Sequence, residues 1–262
     1  MPALARLWMG SHRGLLRFYR LLHAVLGGLG LGILTTEDLH AISEQAYTGI
    51  ETYQDDEYNR RGLSPWERDA IESHFQACRR ILVAAAGGGR EVLALRRLGL
   101  EADGFEANPR LVAYANDLLE REGYGDPIRL APWDGCPEYE RKYDGVVIGW
   151  GAYMHIRGRD RRIALLAQLR PMVETGSPLL LSFVGVKSFS RWMRAAYWIG
   201  KTVGTLSRRD RVELGDWLEP NYKHYFTEDA LTRELRQGGF ETVEYHAGEI
   251  GSAVGIAIEE VA

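Results

Sequence analysis

The stretch ILVAAAGGGRE, which runs from Ile81 to Glu91, decides the fold of this chain. A short, continuous apolar run is typical of a buried strand. Three glycines follow it at once, and the polar residues after them begin a helical pattern. Glycine leaves the main chain bare, so a ligand can approach the backbone and sit near the N-terminus of the next helix. The stretch therefore predicts a ligand-binding turn between a strand and a helix.

Strand and helix patterns alternate from this stretch to the C-terminus. The predicted strands span residues 80–86, 101–107, 127–132, 143–151, 178–186, 240–248 and 253–260. Only the turn EIGS separates the last two strands, which is too short for a parallel crossover, so they should pair as an antiparallel hairpin. We expect an α/β fold: a doubly wound, mostly parallel, seven-stranded sheet with helices on both faces and this hairpin at its C-terminal end.

Local signals mark several helix ends. The sequence SPWE, from Ser64 to Glu67, combines an N-cap, a proline at the first helical position and a capping box. It predicts a helix that runs to about Cys78. Asn108 is typical of an N-cap and opens a later helix. Pro171 is expected to shorten the helix before the fifth strand, because proline lacks the N–H that a helix interior needs.

Residues 187–222 interrupt the alternation between the fifth strand and the last helix. This segment holds six aromatic and seven basic residues, and Arg208 and Arg209 are among the basic ones. Insertions at the ligand edge of such a sheet commonly form the part of the site that recognises the substrate, which is called the acceptor below. We therefore predict an N-terminal helical segment or cap over residues 1–78. The ligand-binding domain is expected over residues 79–262, with a helical acceptor lid formed by the insertion.

The spacing of the glycines discriminates between ligands. A phosphate-binding loop needs G-x-x-x-x-G-K-[ST], and neither Lys-Ser nor Lys-Thr follows these glycines. A dinucleotide fingerprint needs G-x-G-x-x-G. Counted from Gly87, its last glycine would fall on Val92, and counted from Ala85, it would fall on Arg90. Neither pattern fits, which indicates a different ligand.

The stretch instead resembles the first motif of the class I S-adenosylmethionine-dependent methyltransferases, which is an apolar strand, an acid and G-x-G-x-G. Gly87 and Gly89 match the second and third glycines. Ala85 stands at the first glycine position, and Val83 stands where the acid usually is. The resemblance covers roughly residues 80–260. It implies S-adenosylmethionine as the cofactor and S-adenosylhomocysteine as the product.

Further positions of the resemblance supply the rest of the implied cofactor site. Glu106 ends the second strand about twenty residues after the glycines, where a carboxylate can accept both ribose hydroxyls in charge-assisted hydrogen bonds. The family's third motif implies Trp133 and Asp134 at the adenine, although Asp134 also suits a turn before Gly135. The set is completed by Ala107 beside Glu106, by Gly149 and Trp150 beside the reactive methyl, and by Glu91. Glu91, or else a residue of the N-terminal segment, would replace the missing acid that holds the methionine ammonium.

The class of acceptor is predicted from the loop after the fourth strand. Family members that methylate amide or exocyclic ring nitrogens often carry an Asn/Asp-Pro-Pro-aromatic motif there, and the sequence GWGAYMHI lacks it. We therefore expect methyl transfer by in-line displacement to a small molecule, at a hydroxyl oxygen. Tyr153, His155 and His224 are the candidates to orient or deprotonate that hydroxyl, although Tyr153 and His155 would equally well pack under the next helix. No metal is expected, because the seven histidines form no HExxH or comparable pair.

Composition bounds the alternatives. The chain has 262 residues, which suits one large α/β domain, and its net charge of −4 argues against bulk attraction to nucleic acid. An RNA methyltransferase, with single-stranded RNA held by the aromatic and basic insertion, is the alternative enzyme. A non-catalytic regulatory protein that binds S-adenosylmethionine is the alternative outside enzymes. Cys78 and Cys136 form no disulfide framework, which favours the cytoplasm.

The N-terminus carries an uneven distribution of charge. Four arginines precede the apolar run at residues 21–34, and no acidic residue appears before Glu37. The run is too short, and too often broken by glycine, to span a bilayer comfortably. Three interpretations stay open: a helix packed on the domain or on a twin subunit, a peripheral membrane contact, and a targeting signal. The tyrosine-rich segment 47–67 is predicted either to fold over the cofactor or to form a solvated connection.

Overall fold

The computed structural model describes residues 2–125, 127–207, 211–248 and 250–259. Arg208 and Arg209 of the predicted lid, and residues 260–262 of the predicted domain, lie outside the described residues. The strands are β1 (Arg80–Ala84), β2 (Glu101–Glu106), β3 (Ile128–Leu130), β4 (Gly145–Ile148), β5 (Pro178–Gly185), β6 (Asp216–Glu219), β7 (Asn221–Phe226), β8 (Phe240–His246) and β9 (Gly251–Ala257). The α-helices are α1 (Ala3–Ile33), α2 (Thr36–Gly49), α3 (Asp56–Arg60), α4 (Pro65–His74), α5 (Arg90–Arg97), α6 (Pro109–Arg121), α7 (Arg159–Leu169), α8 (Arg191–Ser207) and α9 (Glu228–Gln237).

The predicted sheet is confirmed as mostly parallel, with an antiparallel hairpin at its C-terminal end. Seven strands follow the order β3-β2-β1-β4-β5-β9-β8. β1 pairs in parallel with β2 and with β4, whereas β9 pairs antiparallel with β5 and with β8. The chain moves outward from β1 to β3 and then returns to the other side of β1. A reversal of this kind opens a crevice at the carboxyl ends of the strands.

Helices cover both faces of the sheet, because alternate side chains of a strand point to opposite sides. In β1, Leu82 and Ala84 belong to the apolar cluster that includes Leu166 of α7. Ile81 and Val83 belong to the cluster on the opposite face, which α4, α5 and α6 cover. Val83, at the position of the missing acid, is therefore a fully buried core residue.

Helix α4 ends four residues earlier than predicted. Its capping box is confirmed, but Phe75 forms the C-cap and the chain then turns into β1. The ring of Phe75 fills the space beside Gly145, where a Cβ would lie 2.7 Å from Phe75 Cε1. Cys78 belongs to this turn, and its thiol donates to the carbonyl of Asp144. The prediction failed here because the helix is stopped by tertiary packing and not by a local breaker.

The insertion was wrongly predicted to be purely helical. It contains α8 and then the hairpin β6–β7, whose second strand pairs in parallel with the end of β5 at Val184 and Gly185. The insertion therefore extends to Phe226, and the seven predicted strands become nine in the described residues. A signal for β7 was present in the sequence, because Tyr222, His224 and Phe226 place a ring at every second residue, and all three are buried in the structure.

The N-terminal segment packs on the insertion. Gly28 and Gly32 bring α1 close to α8, since a Cβ on either glycine would lie 2.7 Å from a backbone oxygen of α8. Arg157 closes the C-terminus of α1, with its guanidinium donating to the carbonyls of Leu31 and Leu34 at 2.7 Å each. Of the helices that the described residues form, none is long and apolar enough to cross a membrane.

Candidate functional site

A cleft opens at the carboxyl ends of β1, β2 and β4, where the strand order reverses. It encloses about 1270 Å³, including the part open to solvent. One wall is the glycine turn after β1 together with the ends of β2 and β3. The opposite wall comes from the N-terminal segment, through α2 and the residues up to Asn59. Ligands of open α/β sheets bind at such crevices.

The glycine turn presents bare backbone to this cleft. Ala85, Gly87 and Gly89 all have positive φ, at 52°, 53° and 90°. A Cβ on Gly87 would meet nothing within 4 Å, so its backbone faces open space. Gly88 is covered instead, because a Cβ there would lie 2.1 Å from the carbonyl oxygen of Tyr53. The turn is thus open to the cleft at Gly87, whereas the N-terminal segment covers it at Gly88.

Glu106 joins the glycine turn to the end of β2. Its Oε2 accepts from the backbone N–H of Gly87 at 2.9 Å, and its Oε1 accepts from the N–H groups of Ala107 and Asn108 at 2.9 Å each. Burial raises the pKa of Glu106, and the three N–H groups act against that rise. A carboxylate offers about four acceptor positions. The observed bonds therefore leave capacity for a ligand hydroxyl. Asn108 is confirmed as the N-cap of α6.

A buried ion cluster supports the turn. Arg90 donates to both oxygens of Glu67, at 2.6 and 2.7 Å, and to Glu91 at 2.6 Å. Burial raises the pKa of the Glu91 carboxyl, while the adjacent guanidinium lowers it. Glu91 also accepts from the backbone N–H of Trp150 at 3.4 Å. Its carboxylate lines the cleft, but it already accepts hydrogen bonds from Arg90 and from the Trp150 backbone.

Two buried polar atoms of residues on the cleft wall have no hydrogen-bond partner in the described part of the chain: Asn59 Oδ1 and Arg157 Nε. The amide nitrogen of Asn59 donates to the carbonyls of Tyr53 and Asp55, which leaves its oxygen as a free acceptor. This oxygen lies next to Gly88. An unsatisfied buried acceptor costs free energy that a ligand ammonium group would recover. Asn59 belongs to the N-terminal segment expected to replace the missing acid.

Trp133 and Asp134 line the cleft as predicted, and His40 of α2 contacts both. The His40 ring stacks on Trp133 with 4.9 Å between ring centroids and 14° between planes. Its Nε2 lies 3.1 Å from Asp134 Oδ2. Sequence reasoning missed His40, because nothing local to α2 shows that this helix reaches the end of β3. Asp134 has a φ of 57°, which agrees with its place in a turn.

His155 lies on the cleft wall in a defined tautomer. Its Nδ1 is 2.7 Å from the carbonyl oxygen of Tyr222, which can only accept, so Nδ1 carries the proton. Nε2 therefore accepts from the hydroxyl of Tyr47, 2.8 Å away. Burial lowers the pKa of His155 from 6.5 to about 4; the Tyr222 carbonyl acts against that shift, and Lys223 adds to it. The imidazole is neutral, with its lone pair directed at a tyrosine hydroxyl.

Solved structures similar to this chain are methyltransferases. A Methanosarcina mazei S-adenosylmethionine-dependent methyltransferase is 17% identical, with a TM-score of 0.60 over 76% of this chain and 100% of that one. A Burkholderia thailandensis 1,6-didemethyltoxoflavin-N1-methyltransferase, solved with 1,6-didemethyltoxoflavin and S-adenosylhomocysteine, is 14% identical, with a TM-score of 0.59 over 87% and 92%. The mitomycin 7-O-methyltransferase MmcR is 13% identical, with a TM-score of 0.52 over 83% and 57%. No protein-family model and no curated protein sequence matches the chain.

The chain has the class I S-adenosylmethionine-dependent methyltransferase fold. Within this methyltransferase fold, most positions implied for the cofactor line one cleft: Ala85, Gly87, Glu91, Glu106, Ala107, Trp133, Asp134 and Trp150. Gly89 and Gly149 do not line it, which corrects their predicted role. A Cβ on Gly89 would lie 3.2 Å from Ala115 Cβ, and one on Gly149 would lie 2.2 Å from the Ala85 carbonyl oxygen. Both glycines permit close packing that shapes the turn.

Two of the three predicted catalytic residues lie outside the cleft of the methyltransferase fold. Tyr153 is fully buried, and its hydroxyl donates to Glu234 at 3.1 Å. His224 is also buried, with its Nδ1 2.7 Å from Asp216 Oδ1. Both predictions were wrong, because these side chains point into the core. Of the three, only His155 reaches the cleft.

His224 belongs to a polar cluster under the β6–β7 hairpin. Glu213, Asp216 and His224 each offer one side-chain oxygen or nitrogen atom of the kind that binds metal ions. These atoms lie within 4.8 Å of one another. Arg162 enters this cluster, since its guanidinium donates to Glu213 at 2.8 Å and to Glu234 at 2.7 Å. The guanidinium supplies positive charge among the acids, so the contacts account for the cluster as a network that fixes the hairpin to α7 and α9.

The predicted acceptor lid is also corrected. No described residue between 187 and 222 lines the cleft of the methyltransferase fold, because α8 turns away to pack on α1. Segment 47–67 does contribute, through Tyr47, Tyr53 and Tyr58 on the cleft wall. The segment therefore lies against the cleft and is not only a solvated connection, and its contact with the cofactor stays a prediction. The cover comes from the N-terminal side of the chain and not from the insertion.

Proposed function

We propose that the protein is an S-adenosylmethionine-dependent methyltransferase that acts on a small molecule, at a hydroxyl oxygen. The observation that carries the proposal is the meeting of the bare Gly87 backbone and the buried Glu106 carboxylate on one wall of a single cleft. The same cleft is lined by the neutral imidazole of His155 and by several tyrosines of the N-terminal segment. The cleft thus offers a polar cofactor side and an aromatic acceptor side.

The residues on the cofactor side suit S-adenosylmethionine. Glu106 has acceptor capacity left for the ribose, and Trp133 and Asp134 offer an aromatic face and an acceptor for the adenine. The unpartnered Asn59 oxygen suits the methionine ammonium, a role that the buried Val83 cannot fill. When bound, the cofactor supplies a sulfonium methyl with a neutral leaving group. The protein is then required mainly to orient the acceptor, which can contribute on the order of 7–11 kcal/mol.

On the acceptor side, His155 is the residue that would orient the acceptor hydroxyl by accepting a hydrogen bond from it, because its lowered pKa makes it a weak base. Its Nε2 lone pair already accepts from one hydroxyl, that of Tyr47. An acceptor hydroxyl in the place of the Tyr47 hydroxyl would make the same contact. Two similar structures have names that support small-molecule acceptors: one specifies a methylated oxygen and the other 1,6-didemethyltoxoflavin.

Calorimetry with S-adenosylmethionine, S-adenosylhomocysteine and NAD tests the cofactor. We expect both adenosyl compounds to bind and NAD not to bind. Gly87→Ala should weaken S-adenosylmethionine binding by roughly tenfold or more, because its Cβ projects into the open space at the turn. Gly99→Ala is the matched control: Gly99 also has positive φ and open space, but it follows α5 away from the cleft. Equal loss in both variants would mean that backbone strain, and not ligand space, is responsible.

Detection of S-adenosylhomocysteine with a panel of phenols, alcohols, amines and single-stranded RNA tests the acceptor. We expect turnover with a hydroxylated small molecule. Turnover with RNA alone would support the RNA methyltransferase instead. Cofactor binding with no product from any member of the panel would support the regulatory binder. In that case the buried Val83 and the Ala85 substitution would mark a domain that binds without turnover.

A further inference from the structure

The first half of α1 stands clear of the rest of the protein. From Pro2 to Arg20 every residue is exposed except Ala5, which is partly buried. The helix has 31 residues and is therefore about 46 Å long. Only its second half packs on α8. A helix that projects in this way needs another source of stabilisation, because isolated short helices are marginal in water.

An exposed apolar stripe runs along the whole of α1. Its members recur every three or four residues, with Ser11 in the single gap, and lie within about 100° of one another around the helix. They are Leu4, Leu7, Trp8, Leu15, Phe18, Leu22, Leu26, Leu29 and Ile33, all of them exposed. Trp8, Leu15 and Phe18 keep 71%, 65% and 63% of their surface accessible. A contiguous exposed stripe of nine large apolar side chains marks an interaction site.

The positive charge of α1 lies opposite the stripe. Arg6, Arg13, Arg17 and Arg20 fall within about 60° of one another on the far side of the helix. The chain as a whole has 32 basic and 36 acidic residues, yet no acidic residue precedes Glu37. The first half of α1 is therefore a local cationic element on an acidic protein.

We propose that α1 lies in the interface of an anionic lipid membrane. The stripe would enter the boundary of the acyl chains, and the four arginines would contact lipid phosphates. A second copy of the chain would also cover the stripe, but it would leave the arginines unpaired and bring two rows of like charge into one assembly. An anionic membrane uses the stripe and the arginines together. The glycine face of α1 is already occupied by α8, so docking leaves the fold intact.

Flotation of the full chain with lipid vesicles tests the proposal. We expect the protein to float with vesicles of phosphatidylcholine mixed with phosphatidylglycerol. Binding to phosphatidylcholine alone should be weaker by roughly tenfold or more, because each arginine near an anionic surface contributes separately. Binding to the anionic vesicles should also fall as salt is raised. Equal binding to both vesicle types at all salt concentrations would overturn the role given to the arginines.

Variants separate a membrane surface from a subunit interface. The double variant Leu15→Asp, Phe18→Asp should abolish flotation, and Arg13→Glu, Arg17→Glu should reduce it by roughly tenfold or more. Leu98→Asp is the matched control, because Leu98 is 62% exposed at the end of α5. Circular dichroism melting confirms that each variant is folded. Unchanged flotation of the stripe variant would overturn the proposal. So would a dimer, seen by sedimentation, that the stripe variant dissociates in the absence of any vesicle binding.

Discussion

His155 is a half-buried imidazole held neutral by its surroundings. Nδ1 donates to the Tyr222 carbonyl, and Nε2 accepts from Tyr47, so both ring nitrogens are satisfied without a charge. Burial, the largest cause, lowers its pKa to about 4. A protonated ring could not accept from Tyr47; its Nε2–H would instead donate to the tyrosine oxygen, and the tyrosine proton would have to turn to another acceptor. The protonation state of this one residue therefore sets the geometry of the acceptor side.

The lowered pKa of His155 predicts a loss of stability on acidification. Between pH 6.5 and pH 4 the unfolded chain binds a proton at this residue and the folded chain does not. The contribution of His155 is thus fully present above pH 6.5 and is lost as the pH falls toward 4. Melting curves of wild type and His155→Gln at neutral and acidic pH measure it. We expect the wild-type midpoint to fall by about 2–4 °C more than that of the variant.

His12→Gln is the control for this measurement. His12 lies on the exposed half of α1, away from the cleft. Its variant should follow the wild-type dependence on pH. If His155→Gln lost stability on acidification as steeply as the wild type, the imidazole would not be the group that titrates, and the neutral tautomer assigned from the hydrogen bonds would be wrong.

At the scale of elements, the sequence predicted those whose signals are local. The strand β1, the N-cap Asn108 and the short turn before β9 all carry their information in adjacent residues. The end of α4 and the β6–β7 hairpin were missed. Phe75 ends α4 by packing on Gly145, which lies seventy residues later, and β7 finds its partner at the end of β5. Neither contact is visible before the chain is folded.

The pairing of α1 with α8 predicts opposite effects for two glycines of one helix. Gly28→Ala would bring its Cβ to 2.7 Å from the carbonyl oxygen of Ala196, so the helices must separate. We expect a loss of about 1–3 kcal/mol in the free energy of unfolding. Gly14→Ala is the matched control, because nothing lies within 4 Å of its added Cβ. Alanine there should leave stability unchanged or raise it by up to about 1 kcal/mol. Urea denaturation measures both, and equal losses would contradict the close helix contact.

For the whole molecule, more of the cofactor wall of the cleft than of its acceptor wall could be predicted from the sequence. The cofactor wall was predicted from Gly87 and Glu106, because the α/β alternation implies parallel strands, whose carboxyl ends lie at one edge of the sheet. The acceptor wall was predicted only in part: His155 and segment 47–67 were candidates, but His40 was missed, since it reaches the cleft only through the packing of α2 against the domain. The insertion attracted the prediction by its aromatic and basic composition, yet none of its described residues lines the cleft, and Arg191, Arg194 and Trp198 are exposed.

Two truncations test how α1 belongs to the whole protein. Removal of residues 2–20 deletes chain that is exposed everywhere except at the partly buried Ala5, so the melting temperature and the S-adenosylmethionine affinity should not change. Removal of residues 2–34 takes the carbonyls of Leu31 and Leu34 from the buried guanidinium of Arg157. A buried charged donor left without acceptors costs about 3 kcal/mol or more, and α8 loses the helix that covers it. We therefore expect thermal unfolding at a clearly lower temperature, together with weaker cofactor binding, because Arg157 lines the cleft. If both truncations melted with the full-length protein, the second half of α1 would be as dispensable as the first, and its packing on α8 would contribute nothing to the fold.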